Sequence, residues 1–161
     1  MEENMSKTNE TKIIEKVLLK NCFGNNPSLA REYGSTEVTI GFQRDKKGKE
    51  IVDFLSYNAK SDIFRCYEIK VTMQDFNSSA KKSWYGHYNY LVITNSLFKQ
   101  MPISEWKKEI PVGVGIIVVD TIAEESTTIL KSHRQDITIE IYNTLKNSLI
   151  RTLFYQNNKK R

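Results

Sequence analysis

Three charged residues set in apolar, β-branched stretches are where this sequence could do chemistry. Asp53 lies within IVDFLSY (51–57), and Glu68 and Lys70 lie within CYEIKVT (66–72). Alternate side chains of a strand share a face. Glu68 and Lys70 therefore stand side by side, with Cβ atoms about 7 Å apart, on the face of Cys66 and Thr72, while Arg65, Tyr67, Ile69 and Val71 point the other way. Burying a carboxylate or an ammonium costs several kcal/mol unless it is paired or binds something. If the two strands pair through the short turn between them, Asp53 faces Glu68 across the ladder. Two carboxylates held together repel, and a divalent cation relieves the repulsion. Mg2+ takes oxygen ligands, commonly one or two carboxylates completed by water and substrate phosphate. The Lys70 ammonium would then stand beside an attacking water or a scissile phosphate.

A blander account exists, because Glu and Lys two apart on a strand are also an ordinary ion pair on a solvated face, which stabilises little. Asp53 inside a second apolar run argues against it, since unpaired buried charge is rare. Glu37, in GSTEVTIGF (34–42), is a third candidate acid on the face of Thr39, or else an exposed residue at a strand end.

The elements that must position these residues can be read from periodicity and turn chemistry. Residues 1–10 are polar and read as a disordered lead-in to a single domain over 11–156. Ile13, Ile14, Val17, Leu18 and Cys22 recur at helical spacing, so 11–22 is an amphipathic helix ended near Gly24. Strands are expected at 36–42, 51–57 and 63–73, separated by the charged turn RDKKGKE (44–50) and a turn at 58–62. Short turns between consecutive strands favour an antiparallel meander. Asp75 is a plausible N-cap for a helix over 76–84. A buried strand at 90–94, a short helix within 96–110 broken near Pro102, and a last core strand at 112–119 follow. Ile141, Leu145, Leu149, Ile150 and Leu153 mark a terminal helix over 137–155, before the basic tail 157–161. The order describes an α/β sandwich around one mixed sheet. Asp120, Glu124 and Glu125 read as a solvated polar loop.

Composition narrows the partners. A formal charge of +5 and a pI near 9.1 are compatible with a polyanion such as DNA. Cys22 and Cys66 form no CxxC pair, which speaks against a zinc site or a disulfide framework and for a reducing cytoplasm. The polar N-terminus is no signal peptide, and the longest apolar run, 112–119, is far short of the roughly 20 residues of a membrane helix.

An Asp on one strand followed by Glu-x-Lys on the next is the pattern of the PD-(D/E)XK nuclease superfamily. The chain resembles that superfamily over most of Gly34 to Val119, through EVTIG (37–41), Val52-Asp53, CYEIKVT (66–72), Asp75-Phe76 and GHYNY (86–90). It is similar to small phage and bacterial nuclease-like proteins related to the MmcB-like DNA repair group. The resemblance implies a restriction-endonuclease-like core, αβββαβ plus a further helix, strand and C-terminal helix. It implies Mg2+- or Mn2+-dependent endonucleolytic hydrolysis of DNA in phage or bacterial repair, recombination or replication. By the same resemblance Asp53, Glu68 and the backbone carbonyl of Ile69 would hold the metal. Lys70 would orient the water and stabilise developing charge, and Glu37 would be the accessory acid. Val52 stands where the superfamily's label has Pro. Some members keep the fold and have lost cleavage, so the alternative is a catalytically inactive DNA-binding protein. A third class is a protein-interaction factor whose acidic pocket is an ion-pair network. Cutting both strands of a duplex would call for a homodimer.

The segment KKSWYGHYNY (81–90) interleaves basic and aromatic residues. Such residues suit phosphate contact and base stacking. Lys81, Lys82, Tyr85 and His87 are the candidate DNA contacts. Trp84, Tyr88 and Tyr90 read as packing, and a lone His beside a Gly is more often structural.

Overall fold

The computed structural model of the chain describes residues 7–24, 30–40, 50–78 and 84–159. Helix α1 spans Asn9–Phe23. The Thr8 hydroxyl caps it by accepting the Thr11 N–H at 3.2 Å, and Gly24, at φ 60°, closes it with its N–H on the Lys20 carbonyl. The polar lead-in is thus shorter than expected, because Asn9 and Glu10 are already helical. Ile14, Val17 and Leu18 form the buried stripe of α1.

The described strands form one six-stranded sheet in sequence order. Strands β1 (Glu32–Ile40), β2 (Glu50–Asn58) and β3 (Ile63–Lys70) make the expected antiparallel meander. The β1–β2 connection, with most of the RDKKGKE turn, lies outside the described residues. The second turn is built by Asn58, whose Oδ1 accepts the N–H groups of Lys60 and Ser61 at 3.1 and 3.0 Å. Strands β4 (Tyr88–Thr94) and β5 (Gly115–Asp120) then add in parallel, and β6 (Glu125–Leu130) returns antiparallel on the edge.

Four expectations from the sequence are corrected by these elements. β3 stops at Lys70 rather than Met73, because Thr72 caps helix α2 (Met73–Phe76) by accepting the Asp75 N–H at 3.0 Å. Asp75 is therefore in the first turn and not the cap, and Trp84 lies in no regular element. The polar stretch after β5 is a hairpin rather than a loop. Asp120 closes β5, its Oδ1 accepts the N–H groups of Ile122 and Ala123, and Glu125 opens β6. Val112 precedes β5 and is exposed. The strand begins at Gly115, where a Cβ would sit 2.6 Å from the Leu130 carbonyl.

Helices α3 (Asn95–Phe98), α4 (Ile103–Glu109) and α5 (Ile139–Lys159) complete the chain. Strand alternation sorts the core into two faces. Phe54, Ile69, Val92, Ile117 and Val119 pack under α1. On the other face Leu55, Phe64 and Cys66 meet Leu145 and Leu149 of α5, while Leu91, Ile93 and Ile116 meet Phe76, Leu97 and Trp106. Burying each such large side chain is worth about 1.5–3 kcal/mol. Beyond Leu149 the outward residues Ile150, Phe154 and Tyr155 are exposed, so α5 is held mainly through its first half.

Candidate active site

The site forms where β2 and β3 separate. Their last paired position is Phe54 with Tyr67, and one further step of the same register sets Asp53 opposite Glu68. At that step the Asp53 side chain replaces the ladder: its Oδ2 accepts the Ile69 N–H at 2.7 Å. The N–H and C=O of a strand residue point to the same side, so the Ile69 carbonyl opens toward the same gap. β4 still pairs with β3 up to Lys70 and holds the strand end in place.

Glu68 and Lys70 are 3% and 7% exposed. Their side chains leave the sheet on the face of Cys66, opposite Tyr67 and Ile69, as the alternation predicts. The Asp53 and Glu68 carboxyl groups meet at hydrogen-bonding distance, an arrangement in which one of the two holds a proton. Burial raises the Asp53 pKa above the usual carboxylate range. The Ile69 N–H, the Glu68 carboxyl and the Lys70 charge act against that rise, and the Asp75 charge adds to it. Lys70 Nζ lies 3.6 Å from Asp75 Oδ1, an ion pair rather than a close hydrogen bond. Among the described residues every buried side-chain nitrogen and oxygen has a partner.

Asp53, Glu68, Lys70 and the Ile69 backbone are thus brought together. Glu37 is not. The register sets it beside Asp53 on β1, but its backbone is left-handed, at φ 50°. Its side chain is exposed and pairs with Lys7 at 3.2 Å, and Lys7 also binds Glu15 of α1. Among the described residues no group of three or more His, Cys, Asp or Glu side chains could hold a metal ion. The oxygen donors in the gap are two carboxylates and one carbonyl. That set fits a cation such as Mg2+, which keeps several waters.

Lys81 and Lys82 lie outside the described residues. Tyr85 is half-buried, with its hydroxyl on Glu50 at the start of β2. His87 is buried, and its Nδ1 accepts the Phe64 N–H at 3.0 Å, four residues down β3 from Glu68. It therefore stands at the Phe64 end of β3 and not at the Glu68–Lys70 end. The aromatics pack as expected: Trp84 lies against the Trp106 cluster, Tyr90 stacks on Tyr67 at 5.6 Å, and Arg65 covers the Tyr88 ring. Sequence reasoning missed the pairing of Asp75 with Lys70. Its signal was present in TMQD (72–75), a Thr with an acid three residues on, the pattern of a helix N-terminus that starts at Thr72.

No protein-family model matches the chain, and no curated protein matches it. A solved structure, a protein of unknown function from Silicibacter pomeroyi, superposes with a TM-score of 0.55 at 14% identity, over 78% of this chain and 77% of that one. At that identity the likeness is one of fold: a mixed sheet flanked by helices. No described helix is long and apolar enough to cross a membrane.

Proposed function

We propose that this chain is a metal-dependent nuclease acting on DNA phosphodiester bonds, with its centre at Asp53, Glu68 and Lys70 on a restriction-endonuclease-like core. One observation carries the reading: the Asp53 carboxylate caps the Ile69 N–H opposite Glu68, so two acids and a backbone carbonyl share one gap at a strand end. An ordinary surface ion pair would leave these groups in water, whereas Glu68 and Lys70 are buried. Asp53, Glu68 and the Ile69 carbonyl would hold Mg2+ or Mn2+, which supplies Lewis-acid polarisation of the phosphate and a more acidic bound water. Lys70 offers a fixed positive charge for the anion that develops at phosphorus. The net charge of +5 favours approach to a polyanion.

The test is an assay with Mg2+ and with Mn2+ on duplex, single-stranded and branched DNA, run beside Glu68→Ala. Metal-dependent products from the native chain, and none from the variant, are expected. Cleavage at full rate by a folded Glu68→Ala protein would sink the assignment. A second reading, a DNA-binding protein that does not cut, draws on the pairing of Lys70 with Asp75 and on the absence, among the described residues, of a third acid grouped with Asp53 and Glu68 to hold a metal ion. It predicts salt-sensitive DNA binding with no metal-dependent product.

A further inference from the structure

A second polar cavity, of about 480 Å3, opens toward the other end of β3. Ser61, Asp62, His87, Arg134, Ile139 and Tyr142 line it. Phe64 and Glu68 are four residues apart on the strand, a span of about 13 Å, so this cavity is separate from the Asp53–Glu68 gap.

Its polar groups are held rigidly. Tyr57 and Tyr142 each donate their hydroxyl to Asp62 Oδ1 at 2.5 Å. Those two hydrogen bonds hold the Asp62 carboxyl below its ordinary pKa, so it is charged. Asp62 takes a left-handed backbone, φ 61°, a conformation that costs a non-glycine residue energy and persists where its surroundings impose it. His87 is 7% exposed, and the Phe64 N–H occupies its Nδ1. The ring proton is therefore on Nε2. Burial, with Arg134 nearby, lowers the His87 pKa and keeps the ring neutral. No described residue accepts from Nε2–H, which is not sealed in the interior but opens to the cavity that His87 lines.

Arg134 is delivered by the irregular segment 131–138, which is pinned to the His87 loop. The Gln135 N–H donates to the His87 carbonyl at 2.9 Å, and Gln135 Nε2 donates to the carbonyls of Trp84 and Gly86. Asn89 fixes the loop from inside, accepting the Gly86 N–H and donating to the Gly86 carbonyl. Gly86 must be glycine, because a Cβ there would lie 2.7 Å from the Tyr88 carbonyl. α5 begins at the rim with Ile139, so the positive end of its dipole is there too.

The cavity thus offers a neutral ring donor, a guanidinium, a serine hydroxyl, one fixed carboxylate and an apolar wall. A bare anion would meet the Asp62 charge. A phosphate on a hydroxyl-bearing sugar would satisfy both signs. We propose that this cavity binds a sugar phosphate monoester that keeps a free sugar hydroxyl, such as a nucleoside 5′-monophosphate or the 5′-phosphorylated end of an RNA strand with its 2′-hydroxyl. The phosphate sits on His87 Nε2–H and Arg134, a sugar hydroxyl donates to Asp62, and the base lies against Ile139 and Tyr142. The assignment is independent of how the Glu68 site is read.

Calorimetry on the full chain with AMP, inorganic phosphate, and a ribo-oligonucleotide with and without a 5′-phosphate tests it. Arg134 is exposed, so Arg134→Ala should fold, and AMP binding should weaken at least tenfold in it while persisting in Glu68→Ala. The His87 imidazole nitrogen resonances should shift on AMP addition in the native chain. If only the phosphorylated oligonucleotide binds, and Arg134→Ala abolishes that preference, the strand end is the source. Inorganic phosphate binding as tightly as AMP overturns the proposal. So does indifference to the 5′-phosphate without AMP binding, binding unchanged in Arg134→Ala, or no binding at all.

Discussion

Asp53 stands opposite Glu68 one step past the last paired position of β2 and β3, with its carboxylate on the N–H of the residue that follows Glu68. A ladder hydrogen bond has been exchanged for a side-chain acceptor, which keeps the end of β3 satisfied while leaving β2 free to turn away. The same exchange places two carboxyl groups in contact and opens the Ile69 carbonyl to the gap. Chain geometry at a strand end, rather than a loop, sets the positions of the acids.

Asp53→Asn should make the metal-free protein more stable than the native chain at neutral pH. Asn keeps an oxygen for the Ile69 N–H and removes a charge that burial disfavours. The folded pKa of Asp53 is raised above its unfolded value. Its contribution is then present below the ordinary carboxylate pKa and is lost as pH rises through the elevated folded value. The excess stability of the variant should grow as pH rises from about 4 through the elevated folded pKa of Asp53. Thermal melts of both proteins across that range measure it, and a constant difference would contradict the burial argument.

Mn2+ should stabilise the native chain and not the variants that lose a ligand. A cation at 100 times its dissociation constant adds about 2.7 kcal/mol, which for a chain of this size is a rise of roughly 5–11 °C. Glu68→Ala should lose most of that rise and at least about 10^2-fold in cleavage rate. Glu37→Ala should keep both to within threefold, because Glu37 is turned toward Lys7. Melting curves with and without Mn2+, read beside the cleavage assay, separate the two acids.

Much of this site was legible in the sequence because strands obey a strict alternation. Cys66, Glu68 and Lys70 fall on one face and Tyr67, Ile69 and Val71 on the other, as period 2 requires. The α1 stripe and the terminal-helix positions Leu145 and Leu149 were equally plain. Glu37 was not, since no sequence pattern reveals a left-handed backbone at a strand position flanked by β-branched Thr36 and Val38, nor an ion pair with a lysine 30 residues earlier. β6 was hidden because ESTTIL is an edge strand exposed along most of its length, so apolar alternation never develops. The end of β3 was overrun because Val71 and Thr72 suit a strand, while the cap on Asp75 is a single side-chain hydrogen bond.

Lys70 and Asp75 should move the acid limb of the cleavage profile in opposite directions. The Lys70 charge lowers the Asp53 pKa and the Asp75 charge raises it. Asp75→Asn should therefore let Asp53 ionise, and the metal bind, at lower pH. Lys70→Met should shift that limb upward and cut the plateau rate by about 10^2-fold as well. The pH dependence of kcat/KM for the two variants and the native chain is the measurement. Shifts of the same sign in both would remove the ion pair from the account of the site.

Trp106 links this electrostatic device to the core. It is fully buried, its ring meets Phe76 edge-on at 5.2 Å, and its Nε1–H donates to the Phe98 carbonyl at 3.0 Å. Phe76 is the residue after Asp75 on the four-residue helix α2, which is too short to be stable without this packing. Trp106→Ala should cost about 3–5 kcal/mol of stability, seen as a lower midpoint in urea with the slope unchanged. Where the variant remains folded, α2 loses its anchor and Asp75 its fixed distance from Lys70. Its cleavage profile should then approach that of Asp75→Asn, with the acid limb at lower pH. A variant that is destabilised but keeps the native profile would show that α2 is held by Thr72 and β3 alone.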